Sequence, residues 1–385
     1  MQMNIMVAGA GIGGLAVAAA LRDAGHKVRV FERSPELRVA GTGITLAANA
    51  MKALQVLGLA DKALLAGHVV RHADIRTSKG RVLAKLPMRR MEARVGLPSI
   101  GIQRTALLEI LHEAAGPENV TTSARAAGYR NEDGGVVLLF ADGTEARGDL
   151  LVGADGNRSA IRDRLREPSP LNYTGYTCWR GNADITPAQL GCDGFFEAWG
   201  RGARFGGVMV GPGEFTWYAA KNEPAGGADT PATIAARVRA DFGDWAEPIP
   251  SILAATPAER MFRLDIADRT PDARWIDGRV ALLGDAAHAI TPNMGQGACQ
   301  ALEDAVVFAD RLARAGSVEA GLRRYASDRR ARAHAFVRGS RQIGRLTHLE
   351  NPVARVVRNL GVRAMRHTVL PSVFDYAGLM TRISA

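Results

Sequence analysis

The sequence predicts an α/β fold: a doubly wound domain that is discontinuous along the chain, an inserted mainly antiparallel sheet, and helices at the C-terminal end. Three observations carry that expectation. An apolar strand at 4–9 runs into a glycine turn, a helix and a second strand, which is how a doubly wound sheet opens. From 173 to 270 the pattern changes to spaced strands. A buried strand at 280–283 then returns to the first pattern, and the remainder of the chain reads as helical.

The opening helix spans 13–25 and is closed by Gly25, and the second strand is Lys27–Phe31. Residues 71–88 alternate around Ser78-Lys79-Gly80, predicting a hairpin, and 104–115 predict a helix. A second hairpin over 135–152 turns at Asp142-Gly143 and leads into the apolar run Leu150-Leu-Val-Gly-Ala-Asp155. In the inserted region, strands are expected at 173–180, 204–210, 215–220 and 261–267, around one helix at 232–242. This divides the chain into a nucleotide-type domain at 1–70, 100–172 and 274–340, an inserted domain at 71–99 and 173–273, and a helical segment at 341–385. A cleft between the two domains is the expected place for a small-molecule pocket.

Length and composition agree with this organisation. The chain has 385 residues, 47% apolar and 23% charged, enough to bury cores in two or three domains and too apolar for disorder. No apolar run has the ~18 residues of a membrane span, and a strand beginning at Asn4 leaves no room for a targeting peptide. Three cysteines without metal spacing suit a reducing cytoplasm and predict no metal site. The net charge of +10 is concentrated at one end: residues 1–310 are near balance, whereas 311–385 hold 15 Arg against four acids. Solvated helical faces explain this best; docking to an anionic partner or a membrane surface is the alternative it leaves open. Nucleic acid is not expected, because the basic segment lacks interleaved aromatics.

Three segments carry the chemistry. Gly9-Ala-Gly11-Ile-Gly-Gly14 is a GxGxxG run between a strand and a helix: Gly9 for the tight turn, Gly11 for close approach of a pyrophosphate, Gly14 for helix–strand packing. Glu32, with Arg33 beside it, ends the second strand eighteen residues after Gly14. Its carboxylate can accept from both ribose hydroxyls and repels a 2′-phosphate, which favours the adenosine of FAD or NAD in a Rossmann-like domain. Gly153-Ala-Asp155-Gly-Asn-Arg-Ser159 and Gly284-Asp285-Ala-Ala-His288, the latter followed by Pro292 and Gly295-Gln-Gly297, are two further strand–turn–helix units. Asp285 can hold a ribityl or ribose hydroxyl, and the helix start at 295–298 would stabilise negative charge on a flavin ring.

Together these segments resemble the FAD-dependent aromatic hydroxylases, the single-component flavoprotein monooxygenases of the p-hydroxybenzoate hydroxylase fold, over about residues 3–340. Tyr173–Gly181 and Trp199–Gly206 are similar to the branch of salicylate hydroxylase, urate hydroxylase and zeaxanthin epoxidase. The resemblance implies non-covalent FAD, NADH or NADPH as a transient co-substrate, and O2. It also implies insertion of one oxygen into an electron-rich aromatic or unsaturated substrate through a C4a-hydroperoxide of the reduced flavin. It places Gly41–Ile44, including Gly43, and Asn49 along the isoalloxazine, Arg104 at the FAD phosphates or ribityl chain, and Asp155 at both FAD and NAD(P)H.

On the substrate side, Arg204 resembles the position where some relatives hold an anionic or polar substrate. Trp217 and Tyr218 are adjacent on a strand and face opposite ways, so only one lines the cleft. Pro292 is expected near both cofactor and substrate. In the urate-type branch an acting Tyr would fall at Thr216, which makes urate doubtful. His288 reads as a structural turn residue, and no acid–base dyad stands out, as expected where the flavin carries the chemistry. The halogenases of this fold carry Trp-x-Trp, which is absent here. A membrane-associated epoxidase or reductase acting on an isoprenoid, and a non-catalytic flavin-binding protein, remain as alternatives. The oligomeric expectation is a monomer or homodimer. Finally, Val353, Val356, Val357, Leu360 and Ala364 recur at helical spacing while Arg355, Arg358 and Arg366 fall off that stripe. The expectation is a basic amphipathic helix whose apolar stripe packs on the protein, interrupted by Gly361 and Pro371.

Overall fold

The computed structural model describes residues 2–37, 41–227 and 229–365. A six-stranded sheet forms the nucleotide-type half, in the order Ile276–Asp277, Val280–Leu282, Leu150–Gly153, Asn4–Ala8, Lys27–Phe31 and Val120–Thr121. Its strands are parallel apart from the short antiparallel edge at Ile276–Asp277. Adjacent parallel strands must be joined by crossovers. Helix Ile12–Asp23 supplies the first, and the second is long enough to contain other elements. The strands are near-continuous apolar runs because helices cover the sheet, chief among them Ile12–Asp23 and Gly297–Ala313.

A seven-stranded sheet forms the other half, in the order Phe262–Asp268, Asn172–Asp184, Glu214–Asn222, Ala203–Gly211, Gly194–Trp199, His72–Thr77 and Val82–Lys85. Gly194–Trp199 is a strand that the expected set lacked; it pairs in parallel with His72–Thr77 and so joins the first hairpin to the inserted sheet. Its absence from the expectation has a local cause: Phe195-Phe-Glu-Ala-Trp199 alternates over only five residues, next to a glycine-rich turn.

The large sheet has two different faces because side chains alternate along each strand. Trp179, Phe196, Phe205, Phe215 and Trp217 point one way, into a core shared with helices Pro231–Phe242 and Ile249–Ala254. Their rings stack, Phe205 on Trp217 at 5.4 Å and Phe196 on Phe215 at 5.7 Å between centroids. Residues one position away, including Cys178, Glu197, Arg204 and Tyr218, face a cavity on the opposite side.

The terminal helix Pro352–Met365 forms as the apolar periodicity predicts, but its orientation is reversed. Val353, Val356, Val357 and Leu360 are 59–70% exposed. The buried positions are Val362, which packs with Ile75, Leu83, Ala84 and Trp199, and Arg358, whose guanidinium lies 5.0 Å from the Trp199 ring centroid. Arg358 also donates through Nη1 to the carbonyls of Leu346 and Thr347 and through Nε to Asn359 Oδ1 at 3.1 Å, while its buried Nη2 has no partner among the described residues. Arg366 and Pro371 lie outside the described residues. Among the described residues no helix is long and apolar enough to cross a membrane.

Candidate active site

The glycine turn after Asn4–Ala8 is built by close approach. Gly9 has φ +101°, and a Cβ there would lie 2.5 Å from the Ala154 carbonyl oxygen. A Cβ on Gly14 would come within 1.9 Å of the Gly9 carbonyl oxygen, so the helix can meet the strand only through glycine. Gly11 caps helix Ile12–Asp23 with no side-chain partner and has open space beside its Cα, leaving helix-start amides free for an anionic group. Glu32 stands against this turn: its Oε2 accepts the Ala10 N–H at 2.9 Å and its Oε1 the Ser34 N–H at 2.9 Å. Each oxygen keeps a second lone pair. Arg33 is exposed beside it.

A cavity of about 600 Å³ runs from this turn to the face of the large sheet. On the nucleotide side it is lined by Gly13, Gly43, Arg104, Asp285, Pro292 and Gly297, and on the sheet side by Tyr176, Arg180, Glu197, Arg204 and Tyr218. The Asp285 carboxylate opens into it and takes no hydrogen bond among the described residues; enclosure by protein pushes its pKa up, against the pull of His288 and Arg104. Helix Gly297–Ala313 starts at the cavity wall without a side-chain cap, with open space beside Gly297. The loop carrying Gly43 is clamped to the sheet: its N–H donates to Thr216 Oγ1 at 3.0 Å, and Arg180 Nη2 donates to its carbonyl at 3.0 Å. Two uncapped helix starts, an unpartnered carboxylate and close backbone approaches are the fittings a dinucleotide with a ribityl chain needs.

Other expected site residues fall elsewhere. Asp155 is half-buried and does not line the cavity, with Oδ2 accepting the Ile161 N–H at 3.2 Å and Oδ1 buried, and burial of the carboxyl pushes its pKa up. Asn49 is fully buried and faces away from the cavity, donating to Gln296 Oε1 at 3.0 Å and Glu303 Oε1 at 2.6 Å. Both Trp217 and Tyr218 line the cavity, but the Trp217 side chain is committed to the core, stacking on Phe205 and donating to Thr256 Oγ1 at 2.9 Å, whereas the Tyr218 side chain is turned to the Arg204 side of the sheet. His288 is buried with Nε2 2.5 Å from Asp304 Oδ2, a structural position as expected.

Sequence reading missed two arrangements. One lies behind the cofactor loops: Arg329 Nε donates to Asp304 Oδ1 at 2.6 Å, its Nη1 to Glu303, and its Nη2 to Gln300 Oε1 at 2.7 Å, all fully buried. Asp304 Oδ2 in turn accepts the Gly284 N–H at 3.0 Å and so holds the turn that presents Asp285. Burial raises the Asp304 pKa, but His288 and Arg329 outweigh it and hold the carboxyl down at about 2. The other is Glu197, whose strand was not expected. It accepts from Trp199 Nε1 at 2.7 Å, Arg204 Nη1 at 3.3 Å and the Tyr218 hydroxyl at 2.5 Å. Adjacent buried acids in an apolar helix, and an acid alternating with aromatics, were the available signals.

Comparison with known proteins agrees with this geometry. A family model described as an FAD binding domain matches residues 2–340. The chain is similar to an aurachin C monooxygenase/isomerase of Stigmatella aurantiaca, 43% identical over 364 residues and covering 94% of each chain. It is 37% identical over 327 residues to the chloroplastic zeaxanthin epoxidase of Solanum lycopersicum, matching 82% of this chain and 49% of that one; it spans about half the length of that relative. Among solved structures, Klebsiella pneumoniae HpxO complexed with FAD and uric acid superposes with a TM-score of 0.90 at 30% identity, covering 99% of this chain and 97% of that one.

Proposed function

The chain belongs to the FAD-dependent aromatic hydroxylase family and is an FAD-binding monooxygenase, and from that premise we propose that it uses NAD(P)H and O2 to hydroxylate or epoxidise an electron-rich aromatic or unsaturated small molecule. The observation that supports this reading best is the shared cavity: the open Asp285 carboxylate and the Gly297 helix start line the same space as the face of the large sheet. A substrate on that face would lie beside the bound cofactor with no intervening wall.

In this reading the Gly11–Gly14 amides hold the pyrophosphate and Glu32 the adenosine ribose, with Arg33 exposed next to it. Arg104 and Asp285 hold the phosphate and ribityl region, and the helix start at Gly297 faces the ring. Residues 1–70, 100–172 and 274–340 then serve the cofactor and 71–99 and 173–273 the substrate, with 341–385 as a further C-terminal segment. Bound FAD supplies the redox chemistry, electron uptake from the nicotinamide and activation of O2. The protein's own task is to orient the substrate and exclude water, for which Val208, Phe195 and Ile266 on the cavity wall are suited. We place the reaction in the cytoplasm, where the unpaired Cys178, Cys192 and Cys299 would stay reduced. The test is a screen of small aromatic and polyene compounds for stimulated NAD(P)H oxidation, with product mass checked for one added oxygen. Absence of any oxygenated product while FAD is fully bound and reducible would refute the proposal.

A further inference from the structure

Arg204 is 2% exposed and cannot be read as a free cation awaiting an anionic ligand. Glu197, on the neighbouring antiparallel strand, places a carboxylate oxygen 3.3 Å from its Nη1. Its Nη2 donates to Asn293 Oδ1, which also accepts the Tyr176 hydroxyl at 2.9 Å. Asn293 is itself fixed, donating through Nδ2 to Thr291 Oγ1 at 3.0 Å and to the Ser340 carbonyl at 2.7 Å. The Tyr218 ring lies 5.4 Å from the guanidinium carbon and its hydroxyl donates to the same Glu197. Burial works against the Arg204 charge, but Glu197 outweighs it and keeps the pKa above the ordinary arginine value. The guanidinium is thus met by a carboxylate in direct contact and not left open to the cavity. The other arginine on this sheet face, Arg180, has no carboxylate partner among the described residues and is turned toward the Gly43 carbonyl, at the cofactor end.

We propose that the Arg204 end of the cavity receives an uncharged part of the substrate, and that Glu197 is the residue that sets this preference by cancelling Arg204 and repelling anions. The inference rests on the monooxygenase reading for what the ligand is used for, and not for whether it binds. A carboxylate brought to Arg204 would share the guanidinium with a like charge already in place, and discrimination by such a repulsive element is a general route to specificity. An uncharged arene or enone can instead lie on the Tyr218 and Tyr176 side chains and the apolar wall.

The test uses FAD-loaded protein and two flat probes that differ by one carboxylate, 1-naphthol and 1-hydroxy-2-naphthoate, with dissociation constants read from perturbation of the flavin absorbance. The expected result is at least tenfold tighter binding of 1-naphthol by the wild type. Glu197→Gln, which keeps an acceptor for Trp199, should move the ratio at least tenfold toward the carboxylate, and Glu197→Asp should restore the wild-type order. If Glu197→Gln loses FAD, the Glu197→Gln/Arg204→Met double variant removes both charges and should keep the preference for 1-naphthol. A wild type that prefers the carboxylate, a ratio unmoved by Glu197→Gln, or binding of neither probe at full FAD content would overturn the proposal. Because binding is read without turnover, a wild type that binds 1-naphthol but oxygenates nothing would count against the monooxygenase reading and leave this one standing.

Discussion

Replacing Arg329 by Met tests whether the buried network behind the cofactor loops is held together by charge compensation. Arg329, Glu303 and Asp304 have fully buried side chains, and Arg329 bridges both acids and Gln300. Removing one partner of a buried ion pair typically costs about 3–5 kcal/mol, because the remaining charge stays desolvated. Here the lower half of that range applies, since Arg332 still contacts Glu303 at 2.8 and 2.9 Å and His288 still contacts Asp304. For 385 residues, an unfolding entropy of about 2.1 cal/mol/K per residue gives roughly 0.8 kcal/mol per degree, so ~3.5 kcal/mol lowers Tm by ~4–5 °C. FAD retention should fall with it, because Asp304 anchors the Gly284 amide next to Asp285. Thermal unfolding of FAD-free and FAD-loaded protein reads both effects. Adding Glu303→Gln and Asp304→Asn to Arg329→Met should recover part of the loss, since the uncompensated charges go with them. A loss below about 1 kcal/mol, or no recovery in the triple variant, would show that the network is packing rather than paired charge.

Three further outcomes are expected from the same geometry. Asp285→Ala should weaken FAD retention by about 1.5–3 kcal/mol, the worth of a hydrogen bond to a charged acceptor, and unchanged affinity by equilibrium dialysis would remove Asp285 from the site. Val357→Asp on the exposed stripe of Pro352–Met365 should change stability by less than about 0.5 kcal/mol, whereas Val362→Asp in the buried contact should cost more than about 2 kcal/mol. The reverse order in urea denaturation would mean that the stripe is covered in the folded protein. Burial, helped by Arg204, lowers the His348 pKa from 6.5 to about 3, so the unfolded chain takes up a proton that the folded one refuses. Its contribution is intact above pH 6.5 and is lost as pH falls toward 3, at up to about 1.4 kcal/mol per unit, and His348→Phe should flatten the stability–pH curve in that window.

How much of this was legible in the sequence depends on how far apart the interacting groups lie in the chain. The cofactor turns were readable because most of each is a local problem: Gly14 is dictated by its contact with Gly9 and Gly9 by its positive φ, although the Ala154 carbonyl that also excludes a Cβ at Gly9 lies far along the chain, and Glu32 by where the next strand ends. The Trp217/Tyr218 alternation was readable for the same reason, but which of the two side chains turns to the Arg204 side was not. That depends on which face of the sheet helices Pro231–Phe242 and Ile249–Ala254 cover, a tertiary fact.

The terminal helix shows why periodicity alone can point the wrong way. A stripe of Val353, Val356, Val357 and Leu360 beside arginines predicts burial of the valines if water is the only competitor for the arginine. Arg358 instead had Trp199 and two helix-end carbonyls to meet, and these take up part of the guanidinium while its stem adds apolar contact. With Arg358 and Val362 four apart on one face, the helix turned that face inward and the valines outward. The same reasoning governs Arg204. Its type and position predicted a charged hand held out to a substrate, because Glu197 is seven residues away on a strand whose pairing a single sequence does not display. Once Glu197 is placed, the arginine that looked like the anion-binding residue becomes half of an ion pair. The charge a ligand must carry to enter this cavity is therefore decided by a residue with no motif of its own.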